Sequence, residues 1–568
     1  MIRIQRRRHW LTVLPLGAVL ILSACGGGQA SPSAAASEAG QPSPSEAAQP
    51  SQGGGAATAD EVRAAILSDE ATLNPYTYVT GFPGWNLLML QYDSIMQIDT
   101  DGVPQPWLAE SVEASDDGTV YTVSLAEGIT WQDGETLDAQ DVVFTVGYYQ
   151  EYTGVSRFTS ALAGVESVEA PDDLTVVFTL SAPNPAFPLS ALADVPILPE
   201  HIWSEVTTPD EYVFEEGNVG SGPYRLAEYV PNQSYTFEAN PDYFRGAPAV
   251  ERLVLVQFAD DAGALAAMNT GEVDVIFRPV APEQIELLDA QEGIEILQGP
   301  EYTNQLFYYD MEQAPFDDRV VRQAISMAID RQDLVDTVFL GAATVGNAGW
   351  IHPDSPVYND AVETPYDVAG AQQMLEEAGY VDSDGDGIRE FDGQPMSFEF
   401  LTRSEDALRL RTSELLAEML TEIGIELKVV AVDLETSQNA VWPEFDVTKG
   451  RNYRTAMWGW SAPVQANPAR AASLVHSDPA IGNINLTGYS SSEMDALVDE
   501  LSTTVDPDAR QELFDEFQAL FAEDLPFITL LYPNGAYAYD STVYGGWAFI
   551  SGQGIVSKLS LLTPEARP

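Results

Sequence analysis

Ser115-Asp116-Asp117-Gly118-Thr119-Val120-Tyr121-Thr122-Val123-Ser124-Leu125 is a polar turn running into a strand. From Thr119 onward apolar and polar residues alternate with period two, the spacing of a half-buried strand, and the Asp-Asp-Gly ahead of it supplies turn chemistry in which glycine takes a positive φ. Val112-Glu113-Ala114 on the other side of the turn alternates too, so the stretch reads as a β-hairpin. A second hairpin follows in 165–168 and 174–180, across Pro171-Asp172-Asp173. Between the two hairpins, Asp138-Ala139-Gln140-Asp141-Val142-Val143-Phe144 reads as an N-capped helix start. Residues 99–194 therefore form a small antiparallel module inserted into a larger chain. Ahead of it, 62–67 reads as a buried strand, Thr72-Leu73-Asn74-Pro75 as a turn, 87–96 as a helix or helix-turn, and Asp99-Thr100-Asp101-Gly102 as a tight turn.

The chain opens with Arg3, Arg6, Arg7 and Arg8, then an apolar stretch of about a dozen residues, shorter than the ~20 that span a bilayer. The stretch ends in Leu22-Ser23-Ala24-Cys25, and Cys25 is the only cysteine. Residues 1–25 are expected to be an export signal. Leu-x-Ala-Cys resembles the lipobox of bacterial lipoproteins, which implies lipidation of Cys25 and a place on the outer face of the cytoplasmic membrane, in a periplasm or at a cell surface. Arg7-Arg8-His9-Trp10-Leu11 resembles a twin-arginine signal, and a basic leader explains it equally well. Residues 26–59 are almost all Gly, Ala, Ser, Pro and Gln without apolar periodicity, so they form a disordered tether with a root-mean-square span of roughly 30 Å. With its one cysteine given to the anchor, the mature chain has no disulfide.

Lys and Arg total 25 against 87 Asp and Glu, a formal net charge of -62. Such a surface repels nucleic acid and anionic headgroups, leaving the lipid anchor as the membrane contact. About 510 residues remain after the tether, enough for two or three domains.

Several blocks resemble family 5 of the extracellular solute-binding proteins, the receptors of ABC importers. They begin with Tyr92-Asp93-Ser94-Ile95, Leu108-Ala109-Glu110-Ser111, the 115–121 turn, and Trp131-Gln132-Asp133-Gly134-Glu135 running on to Asp141-Val142-Val143-Phe144. They continue in family order through Gly220-Ser221-Gly222-Pro223-Tyr224, Asn240-Pro241-Asp242-Tyr243-Phe244, Gly271-Glu272-Val273-Asp274, Pro315-Phe316-Asp317-Asp318-Arg319-Val320-Val321-Arg322-Gln323-Ala324 and Ala328-Ile329-Asp330-Arg331. Glu377-Ala378-Gly379-Tyr380, Ile423-Gly424-Ile425 and 489–497 complete the series. Most of these residues have a scaffold reading of their own. Gly222-Pro223 and Asn240-Pro241 punctuate turns, and Asp317 is placed to cap a helix over about 319–330 with Val320, Val321, Ala324, Ile325, Ala328 and Ile329 at core spacing.

The resemblance implies an α/β, periplasmic-binding-protein-like fold of two hinged lobes (type II, cluster C), with a smaller α+β domain inserted in the first lobe. Carried onto this chain, lobe I is 60–98 with 195–297 and 526–568, the insertion is 99–194, and lobe II is 298–525. The hinge would be crossed near Gly299-Pro300 and near Leu525-Pro526. The implied function is capture of a small extracellular solute, a peptide first and an oligosaccharide second, for delivery to an ABC permease and its ATPase by a monomeric receptor.

Ala456-Met457-Trp458-Gly459-Trp460-Ser461 carries the specificity reading. In peptide-binding relatives an aspartate soon after this Gly-Trp pairs with the ligand's α-ammonium. Here no acidic residue occurs from Met457 to Val475. A buried ammonium without a partner is strongly disfavoured, so a peptide with a free N-terminus needs an acid from elsewhere. Trp458 and Trp460, on either side of Gly459, can stack on a sugar ring or cover an apolar side chain. The same carry-over nominates Trp85, Tyr302, Asn304, Trp350 in its Pro-rich loop, and Arg403 after a strand at 396–401, the cation suited to an anionic ligand group.

Asp382-Ser383-Asp384-Gly385-Asp386-Gly387-Ile388-Arg389-Glu390 resembles a calcium loop, with Asp382, Asp384, Asp386 and Glu390 as candidate ligands of a structural Ca2+. Its twelfth position, where an EF-hand needs a bidentate Glu, is Gly393, which favours a solvated turn and no cofactor. Enzyme chemistry has little support. The histidines are His9, His201, His352 and His476, none spaced for zinc, and there is no Gly-x-Ser-x-Gly elbow or phosphate loop. A secreted lipoprotein hydrolase is the lower alternative.

Overall fold

The computed structural model describes residues 56–69, 73–76, 84–154, 156–212, 219–460 and 470–568. Cys25, residues 26–55 of the tether and the loop 461–469 lie outside the described residues.

The strand Ile528–Asp540 joins two sheets. Its second half, 534–540, pairs antiparallel with Ile294–Pro300, and Tyr539 meets Val275 of the strand Val275–Ile276. Beyond that strand the first sheet continues through Ala59–Ile66, Val250–Gln257, Ser234–Ala239 and Tyr224–Val230. The first half of the long strand, 528–531, pairs with Gln305–Tyr309, and 531–533 with Ala343–Val345. From there the second sheet runs through Thr455–Trp458, Ser397–Arg403 and Glu426–Val432. This is a two-lobe α/β fold, each lobe built on one sheet.

The expected crossing at Leu525-Pro526 is corrected by this pairing, because 528–533 still pairs inside the second sheet and the strand changes sheets between Pro533 and Asn534. Leu525-Pro526 is punctuation of another kind. Leu525, at φ 47° and ψ 69°, is the left-handed C-cap of the helix Pro507–Asp524, and a proline beyond it stops that helix. The other connection, 301–304, follows directly from the end of Ile294–Pro300.

The module interrupts the first sheet between Ala59–Ile66 and Tyr224–Val230. Its strands Ala109–Ala114, Val120–Leu125, Thr175–Leu180 and Val165–Asp172 lie side by side in that order, all antiparallel. The helix Ala139–Glu151 has the expected Asp138 cap, and Asp141 reaches back to the Asp138 backbone to complete a capping box. Val123, Val142, Val146, Val176 and Phe178 close one core beneath that sheet.

Two expected helices come out differently. The first is Asn86–Gln91, after which Met96–Ile98 pairs with Pro104–Pro106 across the turn at Gly102. The second, Arg319–Ala328, is capped by Asp318 and not Asp317, since the Asp318 carboxylate accepts from Val320 N at 2.9 Å.

The lobes touch across the space between them. Arg411, on the helix Ala407–Thr421 of the second lobe, pairs with Glu283, on the helix Pro282–Asp289 of the first, at 2.6 Å. Elsewhere Val505 of the second lobe packs so close to Gly118 of the module that a Cβ there would lie 2.6 Å from a Val505 methyl.

Candidate functional site

Three strands of the second sheet end at one edge. Ser397–Arg403 and Thr455–Trp458 run parallel and finish there in Arg403 and Trp458, while Gln305–Tyr309 begins beside them just after Asn304. The crevice beyond the carboxyl ends of parallel strands is where open α/β sheets receive ligands. The chain alternation puts Arg403 on the same sheet face as Leu401, and that face shares an apolar cluster with Tyr308 and Trp458.

Gly459 sets the geometry of this edge. A Cβ at this position would sit 2.2 Å from Asn304 O and 2.8 Å from Arg409 Nη2, so only glycine lets the backbone, the Asn304 carbonyl and the Arg409 guanidinium meet. Asn304 is 1% exposed, and its Oδ1 accepts from Trp460 N at 2.9 Å. Trp460 Nε1 donates to Tyr308 Oη at 2.8 Å. The Trp460 ring meets Trp458 and Trp442 edge to face, with centroids 6.1 and 5.8 Å away. Trp458 lies 26° from the plane of Tyr308, and the Arg403 guanidinium stands 5.7 Å from the Trp458 ring. The half-buried indole of Trp460 is thereby fixed before any ligand arrives, which removes an ordering cost from binding.

The polar atoms of this edge are incompletely satisfied. Arg409 Nε pairs with Asp406 Oδ2 at 3.2 Å, but Arg409 Nη1, Arg403 Nε, Asn304 Nδ2 and Trp458 Nε1 are buried without a hydrogen-bond partner among the described residues. The corresponding acceptor is Gln305 Oε1. Burial, and after it the nearby Arg403 cation, lowers the Arg409 pKa to about 10, which leaves the group charged at neutral pH. The edge thus offers mostly donors and two guanidinium groups.

Asn304, Arg403, Trp458, Gly459 and Trp460, nominated from the sequence, come together here. Arg409, Trp442 and Tyr308 join them without having been nominated. Tyr302 lies on the connection between the sheets at φ 53°, its ring 4.8 Å from His352 and its hydroxyl donating to Asp354 O at 3.3 Å. Trp350, at φ 69°, is fully buried against Phe517 and Phe521, a core position of the second lobe. Trp85 is buried in a different apolar cluster, with Leu88, Tyr92 and the module's residues. Oxygens of Asp382, Asp384 and Glu390 lie within 4.8 Å of one another, and Asp386 is not in this group. No helix of the described residues is long and apolar enough to cross a membrane.

The model of the bacterial extracellular solute-binding proteins, family 5 middle, matches residues 103–481. The oligopeptide-binding protein AppA of Bacillus subtilis is 29% identical over 554 residues, covering 95% of this chain and 96% of its own. Its solved structure in complex with a nonapeptide superposes with a TM-score of 0.68 at 25% identity, over 91% of this chain and 100% of that one. The ABC transporter substrate-binding protein CtaP of Listeria monocytogenes gives a TM-score of 0.77 at 25% identity, over 89% and 99%. With the family model matching most of the chain and the two-lobe fold shared with these structures, the protein belongs to family 5 of the bacterial extracellular solute-binding proteins.

Proposed function

We propose that this protein is the peptide-capturing receptor of an ABC importer, closing its two lobes on the ligand and delivering it unchanged to a permease and its ATPase. The observation that carries this reading is the strand-end array of buried, unfilled donors between Asn304, Arg403, Arg409 and Trp458, set against the rigid Trp460. The likeness to AppA over nearly the whole chain supports peptides as the ligand class. The receptor works as a monomer, held to the outer face of the cytoplasmic membrane by a lipid on Cys25, with no enzymatic step and no cofactor. Its lobes divide as 60–98, 195–300 and 534–568 against 301–533, with the module at 99–194.

Closure follows from differential affinity: a ligand that touches both lobes binds the closed state better and shifts the population toward it. Trp442 and Trp460, at 74° to one another, favour an oligosaccharide as the second reading, because aromatic faces bind sugar rings. Thermal unfolding against a pooled peptide library and a pooled oligosaccharide set tests the choice. Ligand at a hundred times its dissociation constant adds about 2.7 kcal/mol of stability. A raised midpoint with peptides is the expected result; a rise with sugars alone sinks the peptide reading.

A further inference from the structure

We infer that the 115–118 turn of the module and the helix corner at Val505 form a clasp that holds the lobes together when the cleft is closed, so that the module helps to set how long a captured ligand stays. The inference rests on the receptor reading given above and adds to it a control of release outside the ligand site.

Both halves of the clasp are rigid on their own. In the module, Gly118 N donates to Ser115 O at 2.9 Å, and Asp117 Oδ1 accepts from Ser115 Oγ and Thr119 Oγ1, each at 2.7 Å, and from Thr119 N at 3.2 Å. Asn184 braces the turn from behind: its N donates to Gly118 O at 3.3 Å, and its O accepts from Tyr121 Oη at 2.8 Å. In the second lobe, Val505 is the one residue between two helix caps. Thr504 closes Ser492–Thr503, and Asp506 opens Pro507–Asp524 by accepting from Ala509 N at 2.9 Å, with Pro507 at the first helical position.

The two halves meet where neither would bury anything alone. Gly118 is the tip of a hairpin turn, yet it is buried. A Cβ there would lie 2.6 and 3.6 Å from the two Val505 methyls and 3.7 Å from Pro183 Cβ, and with φ at 65° the position accepts only glycine. One turn into the second helix, Arg510 lies beside Tyr121 of the module. Burial lowers the Arg510 pKa, and Tyr121 works against that shift. Arg510 Nε is buried without a hydrogen-bond partner among the described residues. No hydrogen bond or ion pair joins the described residues of the two halves, so the contact is held by apolar packing and opposed by an unpaired guanidinium nitrogen. That balance suits a contact that opens again. Its place gives it leverage as well, since Val505 stands at the start of an 18-residue helix, roughly 27 Å along its axis from the Leu525 end. A hinge rotation of about ten degrees acting over an arm of that length parts the halves by about 5 Å.

The test uses the full chain carrying Cys25→Ser, with spin labels on Gln140→Cys of the module and Glu493→Cys of the second lobe, both exposed positions. Distances between the labels are measured in the free protein and with a pool of tripeptides to pentapeptides. Peptide release is followed by stopped flow in this background and after adding Val505→Ala or Val505→Asp, with unfolding midpoints confirming that each variant is folded. Val505→Ala removes two methyls and should speed release by about threefold to tenfold, with association changed by less than about threefold. Val505→Asp sets a carboxylate against Asp116 and Asp117, so it should speed release further and move the free protein toward longer label distances. Unchanged distances in Val505→Asp, or peptides that bind and leave at the unaltered rate, overturn the clasp and leave the receptor reading standing. Distances that lengthen in Val505→Asp while no peptide binds to any form overturn the peptide reading and keep the clasp. Unchanged distances with no peptide bound overturn both.

Discussion

Lys558 in the first lobe and Arg403 in the second are both cations withdrawn from water, and they are finished in opposite ways. Lys558 is 2% exposed, and its Nζ donates to Asp93 Oδ1 at 2.5 Å and to Tyr92 O at 2.8 Å. Trp107 Nε1 and Tyr243 Oη donate to the same carboxylate oxygen at 2.8 and 3.0 Å. Arg331, 4% exposed, is likewise spent on Thr529 O, Ser326 O and Ser326 Oγ. Arg403 and the outer nitrogen of Arg409 keep donors in hand. Lys558 and Arg331 are thus partnered from within the scaffold, whereas Arg403 and Arg409 at the strand ends keep buried donors that no described residue accepts.

The largest test of this contrast is Lys558→Met. It leaves Asp93 buried at 0% exposure without its counter-charge, and breaking a buried pair costs about 3–5 kcal/mol. Urea denaturation should show a loss of that size, partly recovered in Lys558→Met with Asp93→Asn, where an amide replaces the stranded charge. Arg403→Gln, which removes no hydrogen bond or ion pair with a described residue, should lower the same stability by less than about 1 kcal/mol, the scale of its contact with the Trp458 ring. Similar losses for the two single variants would dissolve the distinction between scaffold and site cations.

Gly459→Ala comes next. The added methyl would lie 2.2 Å from Asn304 O, so the strand end must shift, at a cost of about 1–3 kcal/mol. Because the shift moves Asn304, Arg409 and Trp460 together, ligand affinity should fall along with stability. A folded variant with unchanged affinity would place the ligand away from this edge.

How much of this was open to inspection in the sequence depends on how local each cause is. The hairpins of the module and the Asp138 cap follow from alternation and turn residues within a few positions, and they form where expected. Trp458, Gly459 and Trp460 stood out because this Gly-Trp resembles the ligand loop of peptide-binding relatives. Arg409 was passed over because it sits in Ala-Leu-Arg-Leu-Arg, which looks like a solvated helix face. Its burial depends on the Gly459 backbone lying opposite, fifty residues further along. The one local signal was Asp406, an N-cap three residues ahead of an arginine. Trp350 misled for the reverse reason: a Pro-rich loop suggests exposure, yet Phe517 and Phe521 of a distant helix close over its ring.

Glu283 and Arg411 extend the contrast to exposed charges, since their side chains are 39% and 45% exposed and they join the two lobes. The Glu283 carboxyl is held below its usual range, first by its own backbone N–H and then by Arg411. A carboxyl lowered in this way contributes above the ordinary carboxylate range, and the contribution is lost as the pH falls through the lowered value. Exposed pairs are worth roughly 0.2–1 kcal/mol. Glu283→Gln should therefore weaken ligand binding by no more than about fivefold at neutral pH. The difference from wild type should fade in high salt and in acid strong enough to protonate Glu283. A loss that persists in molar salt would rule out an electrostatic latch.

The acidic loop 382–390 is the anionic counterpart of the same comparison, and it falls on the saturated side. Asp382 accepts from Gly385 N at 2.6 Å and from Gly387 N at 2.9 Å, while Glu390 Oε2 accepts from Ser383 N at 2.8 Å and from Ser383 Oγ at 2.9 Å. Asp384 turns one oxygen to Asp386 N at 3.1 Å, and Asp386 one of its own to Ile388 N at 2.8 Å. These turn bonds organise the loop from its own backbone, as aspartates do in Asx turns. Binding Ca2+ would have to exchange some of them for metal contacts at an exposed position, with no bidentate carboxylate at position twelve to complete the shell. Millimolar Ca2+ should accordingly shift the unfolding midpoint by less than about one degree, since without binding there is no linkage to stability. A shift of several degrees, abolished by Asp382→Asn, would show that hydrogen-bond saturation does not separate structural from ligand-seeking charges in this protein, and would weaken the reading of the strand-end arginines Arg403 and Arg409 by the same logic.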